Sequence, residues 1–298
     1  MPSYKEILNK ADKNEQIERN LADKDIIKQY QEYYNNIISS IDKFVVVNGF
    51  VYLYNKKFKE KLFNLKNKIN QKVSELNKTI INYSNSQINS QYNLGIENIL
   101  SASKELNVNF TFVKDAVEYA KNNNEWLELL KDANANLISN INYQLEYNLR
   151  QNTRQEVIAG LIKGKPYSAI QKEIKNRFEI SATRAGTIAR TEMHKAQISG
   201  RLEGINRAGD AADKLGLEYT KIWRHYGRST GAKPKGGYKP RADHVAMDGK
   251  AADKDGIFVL PSGVKTTAPG LSGEPSEDIN CTCSLQFQIN FDKMAKTA

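Results

Sequence analysis

The residues best suited to chemistry gather near the C-terminal end. His244 lies in Arg241-Ala-Asp-His244-Val-Ala-Met-Asp248-Gly249-Lys250, and both cysteines lie in Asn280-Cys281-Thr-Cys283. The whole chain holds only 3 His and 2 Cys, so this grouping concentrates its soft ligands. Thiolate sulfur and imidazole nitrogen are what Zn²⁺ takes in a tetrahedral site. A Cys-x-Cys pair on an extended segment turns both sulfurs to one face, because side chains alternate there. His244, Cys281 and Cys283 are therefore candidate zinc ligands, with His225, His194 or Asp248 as the fourth. The spacing is tighter than in common structural zinc motifs, and the chain has no second cysteine pair. Three readings stay open: a zinc site, two buried small apolar residues, or a redox pair strained by its short loop.

A second constellation lies upstream. Arg190, His194, Gln197 and Arg201 fall on one face of a helix and could form a ligand-facing row. The plainer reading, a solvated face with Arg190 and Glu192 in ion pairs, is preferred. His244 near Asp248, with Glu192 as a base, would be the basis of an alternative function, a metal-dependent nuclease or hydrolase. No His-Glu-x-x-His or comparable catalytic signature supports it. A sequence-specific regulator of transcription is weaker still, since no helix-turn-helix or zinc-finger pattern occurs.

The net charge of +10 is unevenly placed. Residues 1–150 carry 20 Lys/Arg against 18 Asp/Glu, whereas 151–298 carry 24 against 16. The basic excess is concentrated at 227–241, where Arg228, Lys233, Lys235, Lys239 and Arg241 occur without an acid. Such a loop suits phosphates or an acidic partner surface, though a plain surface insertion has the same composition. Two cysteines this close exclude a secreted disulfide framework. No apolar N-terminal leader and no membrane-length apolar run is read, so the expectation is a soluble chain made in a cytoplasm.

These residues need a scaffold, and most of it reads as helix. Residues 1–150 hold one Pro and two Gly, which lets helices run long. Ile26, Tyr30, Tyr33, Ile37 and Ile41 predict a helix from Asp25, broken between Asp42 and Gly49. Phe58, Leu62, Leu65, Ile69, Val73, Leu76 and Ile80 predict a second. Asn109 suits the cap of a third over Phe110–Lys121, with a turn at 122–124. Trp126, Leu130, Ala133, Leu137, Ile141, Leu145 and Leu149 mark a fourth. Beyond Pro166, Ile170, Ile174 and Phe178 predict a helix closing at Ile180. Ser181 then caps another that ends at Gly209. From Leu217 the period changes to two, giving a strand through Trp223 to Tyr226. Leu285, Phe287, Ile289 and Phe291 predict a half-buried strand antiparallel to it, and 257–260 a third short one. The fold class is α+β. A long-helix N-terminal half (1–150) acts as a docking or scaffold domain. A C-terminal module (151–298) sets two helices against a small, mostly antiparallel sheet.

Taken in order, Arg190-Thr191-Glu192 on a helix, Trp223 on a strand, Arg241-Ala-Asp-His244 with Asp248-Gly249, and Asn280-Cys281-Thr-Cys283 form a recognisable set. Over roughly residues 150–290 the chain resembles the Mu F-like family of tailed-phage minor head (head morphogenesis) proteins. One departure is Thr282, where that family usually has Arg between the cysteines; a strand accepts Thr readily. The resemblance implies a structural, non-enzymatic, low-copy component of the virion, in the head interior or at the portal vertex. Its partners would be the portal protein, scaffold or major capsid protein, and double-stranded DNA bound without sequence preference. Assembly would take place in the host cytoplasm and involve no membrane. The same module occurs joined to toxin domains in other proteins, and 298 residues leave no room for one of ordinary size.

Overall fold

The computed structural model describes residues 4–48, 56–104, 125–152, 167–213, 218–225 and 242–290. Four long helices come first: α1 (Tyr4–Asn48), α2 (Lys56–Lys104), α3 (Glu125–Asn152) and α4 (Tyr167–Asp213). Strand β1 (Glu218–Arg224) follows, then the short helix α5 (Ala242–Ala246), strands β2 (Phe258–Val259) and β3 (Lys265–Thr266), helix α6 (Pro275–Asp278) and strand β4 (Ser284–Asn290). The α+β expectation holds. The predicted helix over 110–121 and the basic loop 227–241 lie outside the described residues.

The helices are longer than the sequence pattern suggests. α1 starts about one turn from the N-terminus rather than at Asp25, and it runs through Asp42–Asn48 without the expected break. Three consecutive valines lower helix propensity only slightly, and neither Gly nor Pro interrupts before Gly49. α4 likewise passes straight through Ile180 and Ser181 and continues past Gly209 to Asp213. Ser181 is therefore a buried mid-helix residue, not a cap, and the expected helix pair is one helix.

The chain divides into two compact units, each assembled from separated stretches. One combines Leu21–Asn85 with Asp132–Ala189; the other combines Met1–Asn20, Ser86–Lys131 and Arg190–Ala298. The first is all helix. Its core contains Ile26, Tyr30 and Ile37 of α1, Leu65, Ile69, Val73, Leu76 and Ile80 of α2, and Ile174 and Phe178 of α4. For α2 these are the predicted stripe wherever the side chain is described. In α3 Leu130 and Leu145 of the predicted stripe are buried, but between them the buried face sits one position away from the predicted one. Asn134, Ile138 and Asn142 are inside, while Ala133 and Leu137 are exposed. Asn134 donates to Ser84 Oγ and Asn85 Oδ1 (both 2.7 Å), and Asn142 donates to Asn77 Oδ1 (2.9 Å). Satisfied amides make these buried positions tolerable, which an apolar pattern cannot reveal.

In the second unit β1 pairs antiparallel with β4, in a register that sets Trp223 against Leu285 and Glu218 against Asn290. Along its other edge β1 bonds the segment after α5. Gly249 N–H donates to Trp223 C=O, Trp223 N–H to Lys250 C=O, and Ala252 N–H to Lys221 C=O. β2 and β3 form a separate two-stranded sheet rather than extending the first. β4 is not half-buried as expected. Ser284 and Gln286 are as enclosed as Leu285 and Phe287, because the polar face meets Asp12 and Asn9 of α1. The core joins Leu8 of α1, Ile99 and Ala102 of α2, and Ile198 and Ile205 of α4 to Trp223, Phe258, Leu260, Leu285 and Phe287. α2 and α4 approach closely at Gly95 and Gly200. A Cβ at Gly95 would overlap the Gln197 carbonyl, and one at Gly200 the Tyr92 carbonyl.

Candidate metal centre and its supporting network

Cys281 and Cys283 lie just before β4, which begins at Ser284, so the pair precedes the strand expected to carry it, and His244 sits on α5. Their entry is set by Asn280, whose φ of 58° is the one positive value among described non-glycine residues. Asn tolerates this left-handed conformation better than most residues. Its side chain is held from α4, Arg190 Nη2 donating to Asn280 Oδ1 at 3.1 Å. The Asp278 carboxylate closes the loop before it, accepting from Ser272 N–H (3.0 Å), Ser272 Oγ (2.7 Å) and Gly273 N–H (3.0 Å).

The sulfurs converge on one ring nitrogen. His244 Nδ1 lies 3.7 Å from Cys281 Sγ and 3.6 Å from Cys283 Sγ. The ligand atoms of the three side chains all lie within 4.8 Å of one another, and all three residues are buried. The opposite nitrogen of the ring, Nε2, is 2.9 Å from Glu277 Oε2 on α6. Trp223 meets the His244 ring edge-on at a centroid distance of 5.7 Å. Both cysteines are free thiols. They share their ionisation: the hydrogen bond from Cys283, with His194 and His244 beside it, holds the Cys281 thiol well below its ordinary value. The Cys283 proton is correspondingly held more tightly, by that same bond and by burial.

The other ligand candidates separate. His225 follows β1 and brings Nδ1 to 3.4 Å from Cys283 Sγ. Burial lowers its pKa, which favours the neutral ring. Asp248 stays outside the cluster. Its Oδ1 accepts the His225 backbone N–H at 3.0 Å and pairs with Arg224 at 3.3 Å. Gly249 beside it has φ +75°, so Asp248-Gly249 is a turn that returns the chain from α5 to the edge of β1.

His194 belongs to a different network, and here the solvated-face reading of α4 is overturned. His194, Gln197 and Arg201 are almost wholly buried. They meet the first turns of α1: Arg19 Nη1 donates to His194 Nδ1 and to Gln197 Oε1. Arg201 makes two 2.9 Å bonds to Glu15 and an ion pair with Asp12. Burial works against the charge on Arg201, but Asp12 and Glu15 outweigh it and raise its pKa. Burial likewise raises Glu15, opposed by Arg201. Burial and the Arg19 charge lower His194. Asp12, Glu15 and Arg19 were missed by sequence reasoning. Their signal was available, since Leu8, Asp12, Glu15 and Arg19 recur at helical spacing on one face.

The remaining predicted residues are placed as follows. Thr191 and Glu192 are buried in α4, Glu192 paired with Lys195 at 3.1 Å and shifted upward by burial. Trp223 is buried at the centre of β1. The metal-ligand group contains neither Asp248 nor Glu192, so the residues of the nuclease reading are not gathered around one ligand position. Arg228, Lys233, Lys235, Lys239 and Arg241 lie outside the described residues.

Residues 151–286 match the family model described as Phage Mu protein F like protein. Two curated proteins are similar to the chain. Minor head protein GP7 of Bacillus phage SPP1 is 30% identical over 139 residues, 47% of this chain and 41% of that protein. NAD(+)–arginine ADP-ribosyltransferase EFV of Enterococcus faecalis (strain ATCC 700802 / V583) is 32% identical over 142 residues, 48% of this chain and 26% of that enzyme. The chain spans less than half the length of either relative. No solved structure matches it.

Proposed function

We propose, from the match of residues 151–286 to the Phage Mu protein F like family and the similarity to a phage minor head protein, that the chain is a structural virion protein acting at the portal during head assembly. The observation that carries this reading is the use to which the motif residues are put. Arg190 holds Asn280, Trp223 fills the core, Asp248 and Gly249 build the turn after α5, and His244 is held by Glu277. These are the duties of a framework. The basic excess of the second half suits contact with packaged double-stranded DNA, with Arg228, Lys233, Lys235, Lys239 and Arg241 as the contacting residues. The portal, and scaffold or major capsid protein, are the protein partners this role requires. Among the described residues no helix is long and apolar enough to cross a membrane.

Mass spectrometry of purified procapsids and filled heads tests the role directly. The protein is expected in both, and its absence from both removes the proposal. For the DNA contact, Lys233, Lys235, Lys239 and Arg241 are replaced together by Ser. Retention on DNA should weaken and its salt dependence flatten; an unchanged salt titration removes the loop from the interface. Non-enzymatic action is checked with plasmid and Mg²⁺ or Zn²⁺, and with NAD⁺ and an arginine acceptor. Turnover that disappears in His244→Ala would replace the structural reading with an enzymatic one.

A further inference from the structure

We propose that His244 Nδ1, Cys281 Sγ and Cys283 Sγ bind a Zn²⁺ ion, with His225 Nδ1 as the fourth ligand. The inference stands on side-chain geometry and does not depend on the role in the head.

The spacing of His244 and the two sulfurs is that of three corners of a tetrahedron around zinc. Bonds of about 2.3 Å to sulfur and about 2.0–2.1 Å to nitrogen, at the tetrahedral angle, put nitrogen and sulfur about 3.5–3.6 Å apart. The observed Nδ1···Sγ separations at His244 are 3.7 and 3.6 Å. His225 Nδ1 stands 3.4 Å from Cys283 Sγ but outside the group whose atoms all lie within 4.8 Å of one another, so it would reach the fourth corner by a rotation of its side chain. Two sulfurs and two imidazoles form a set that selects zinc over hard cations such as Mg²⁺ or Ca²⁺.

The ring of His244 is oriented for ligation. Glu277 is acceptor-only when ionised, so its bond at 2.9 Å takes the Nε2 proton. That leaves the Nδ1 lone pair aimed at the two sulfurs. A carboxylate behind a histidine is the recurrent outer partner of zinc sites, fixing tautomer and raising ligand basicity. Glu277 is itself buried, on a helix of only four residues whose place in the chain is between β3 and the cysteines.

The competing histidine is excluded by its own tautomer. Arg19 can only donate, so His194 Nδ1 is an acceptor and its neutral ring carries the proton on Nε2. With Nδ1 taken by Arg19 and the proton on Nε2, His194 has no free nitrogen lone pair to offer a metal. Asp248 is committed to Arg224 and to the His225 backbone.

Such an ion would tie three segments that share little regular structure: the end of β1, the short helix α5 and the start of β4. Thiol protons are released to solvent as the metal enters, so binding would weaken as pH falls. A module with two-stranded sheets gains stability from a tether of this kind.

The full chain, purified without chelator or metal-affinity resin, is analysed for metal and titrated with Co²⁺. Stoichiometric zinc is expected, and Co²⁺ should give the sulfur-to-metal charge-transfer band and the intense visible bands of tetrahedral cobalt. Cys281→Ser and Cys283→Ser should each abolish stoichiometric binding. Because they could fail to fold, Glu277→Gln provides an independent test. It leaves all four ligands in place and should weaken zinc about 10–100-fold. His225→Ala should shift the cobalt visible bands while the charge-transfer band persists. Wild-type protein that is metal-free and gives no cobalt bands overturns the site. Unchanged affinity in Glu277→Gln overturns the orienting role, and an unchanged cobalt spectrum in His225→Ala overturns the fourth ligand.

Discussion

Arg190 of α4 donates to the side chain of Asn280 at 3.1 Å, and Asn280 is the residue whose φ of 58° turns the chain toward Cys281. The two motif ends, ninety residues apart in sequence, are therefore one device. For a residue with an ordinary Cβ, the left-handed conformation costs about 1–2 kcal/mol. Asn280→Ala should destabilise by about that amount in denaturant unfolding, since it strains the turn and removes the Arg190 partner. Asn280→Gly restores the backbone and should cost less. Equal losses in the two variants would show that the backbone conformation is not what Asn280 supplies.

Arg201 gives the largest expected effect. It is fully buried, its Nη2 donating to both carboxylate oxygens of Glu15 and its Nη1 paired with Asp12, both also buried. Removing one partner of such a cluster strands the others at a cost of about 3–5 kcal/mol. Arg201→Ala should fall in that range by chemical denaturation, and Arg201→Lys should recover only part, because one ammonium nitrogen cannot serve both Glu15, reached by Nη2, and Asp12 and Ser284, reached by Nη1. A loss below about 1 kcal/mol for Arg201→Ala would mean that the pair is solvated in solution.

This cluster also shows what the sequence could and could not disclose. The helices were legible from apolar spacing, and Leu65 to Ile80 were placed correctly because nothing but burial decides them. The β1–β4 pairing was legible from a period of two at both ends of the module. The helix boundaries were not. Ser181 has the chemistry of a cap, yet α4 continues because the following turns bury Ala182, Ala185 and Ala189 at helical spacing. The row Arg190–His194–Gln197–Arg201 looked solvated because its partners, Asp12, Glu15 and Arg19, lie 175 or more residues away in the case of Arg19 and His194. Polarity alone cannot distinguish water from a buried counter-charge. The convergence of His244, Cys281 and Cys283 was legible from residue type, whereas Glu277 behind His244 was not, since it sits in a loop-rich stretch with no periodicity.

Close approach of α2 and α4 makes a steric prediction. A methyl group at Gly200 would meet the Tyr92 carbonyl oxygen, and one at Gly95 the Gln197 carbonyl oxygen, both rigid backbone atoms. Ala normally favours a helix over Gly by about 1 kcal/mol, so a free surface position would be stabilised. Here overpacking should win, with Gly200→Ala destabilising by about 1–3 kcal/mol. A rise in melting temperature for Gly200→Ala would show that the two helices are not in contact at this point.

Tyr30 makes the stability of the all-helical unit sensitive to alkaline pH. Its hydroxyl donates to Asn142 Oδ1 at 2.6 Å, and burial raises its pKa far above the ordinary value of 10.0, the Asn142 bond opposing slightly. In the unfolded chain the phenol releases its proton near pH 10, whereas in the folded unit it keeps it. The stabilisation is therefore fully present below pH 10 and is lost as pH rises toward the folded value. Each pH unit in that window should remove up to about 1.4 kcal/mol. Tyr30→Phe deletes this proton, so its unfolding free energy should fall less steeply between pH 10 and 11 than that of the parent. At pH 8 the same variant should be weaker by about 1–3 kcal/mol, because Asn142 Oδ1 loses its buried donor. Parallel slopes for the two proteins above pH 10 would mean that Tyr30 ionises in place without unfolding the helices around it.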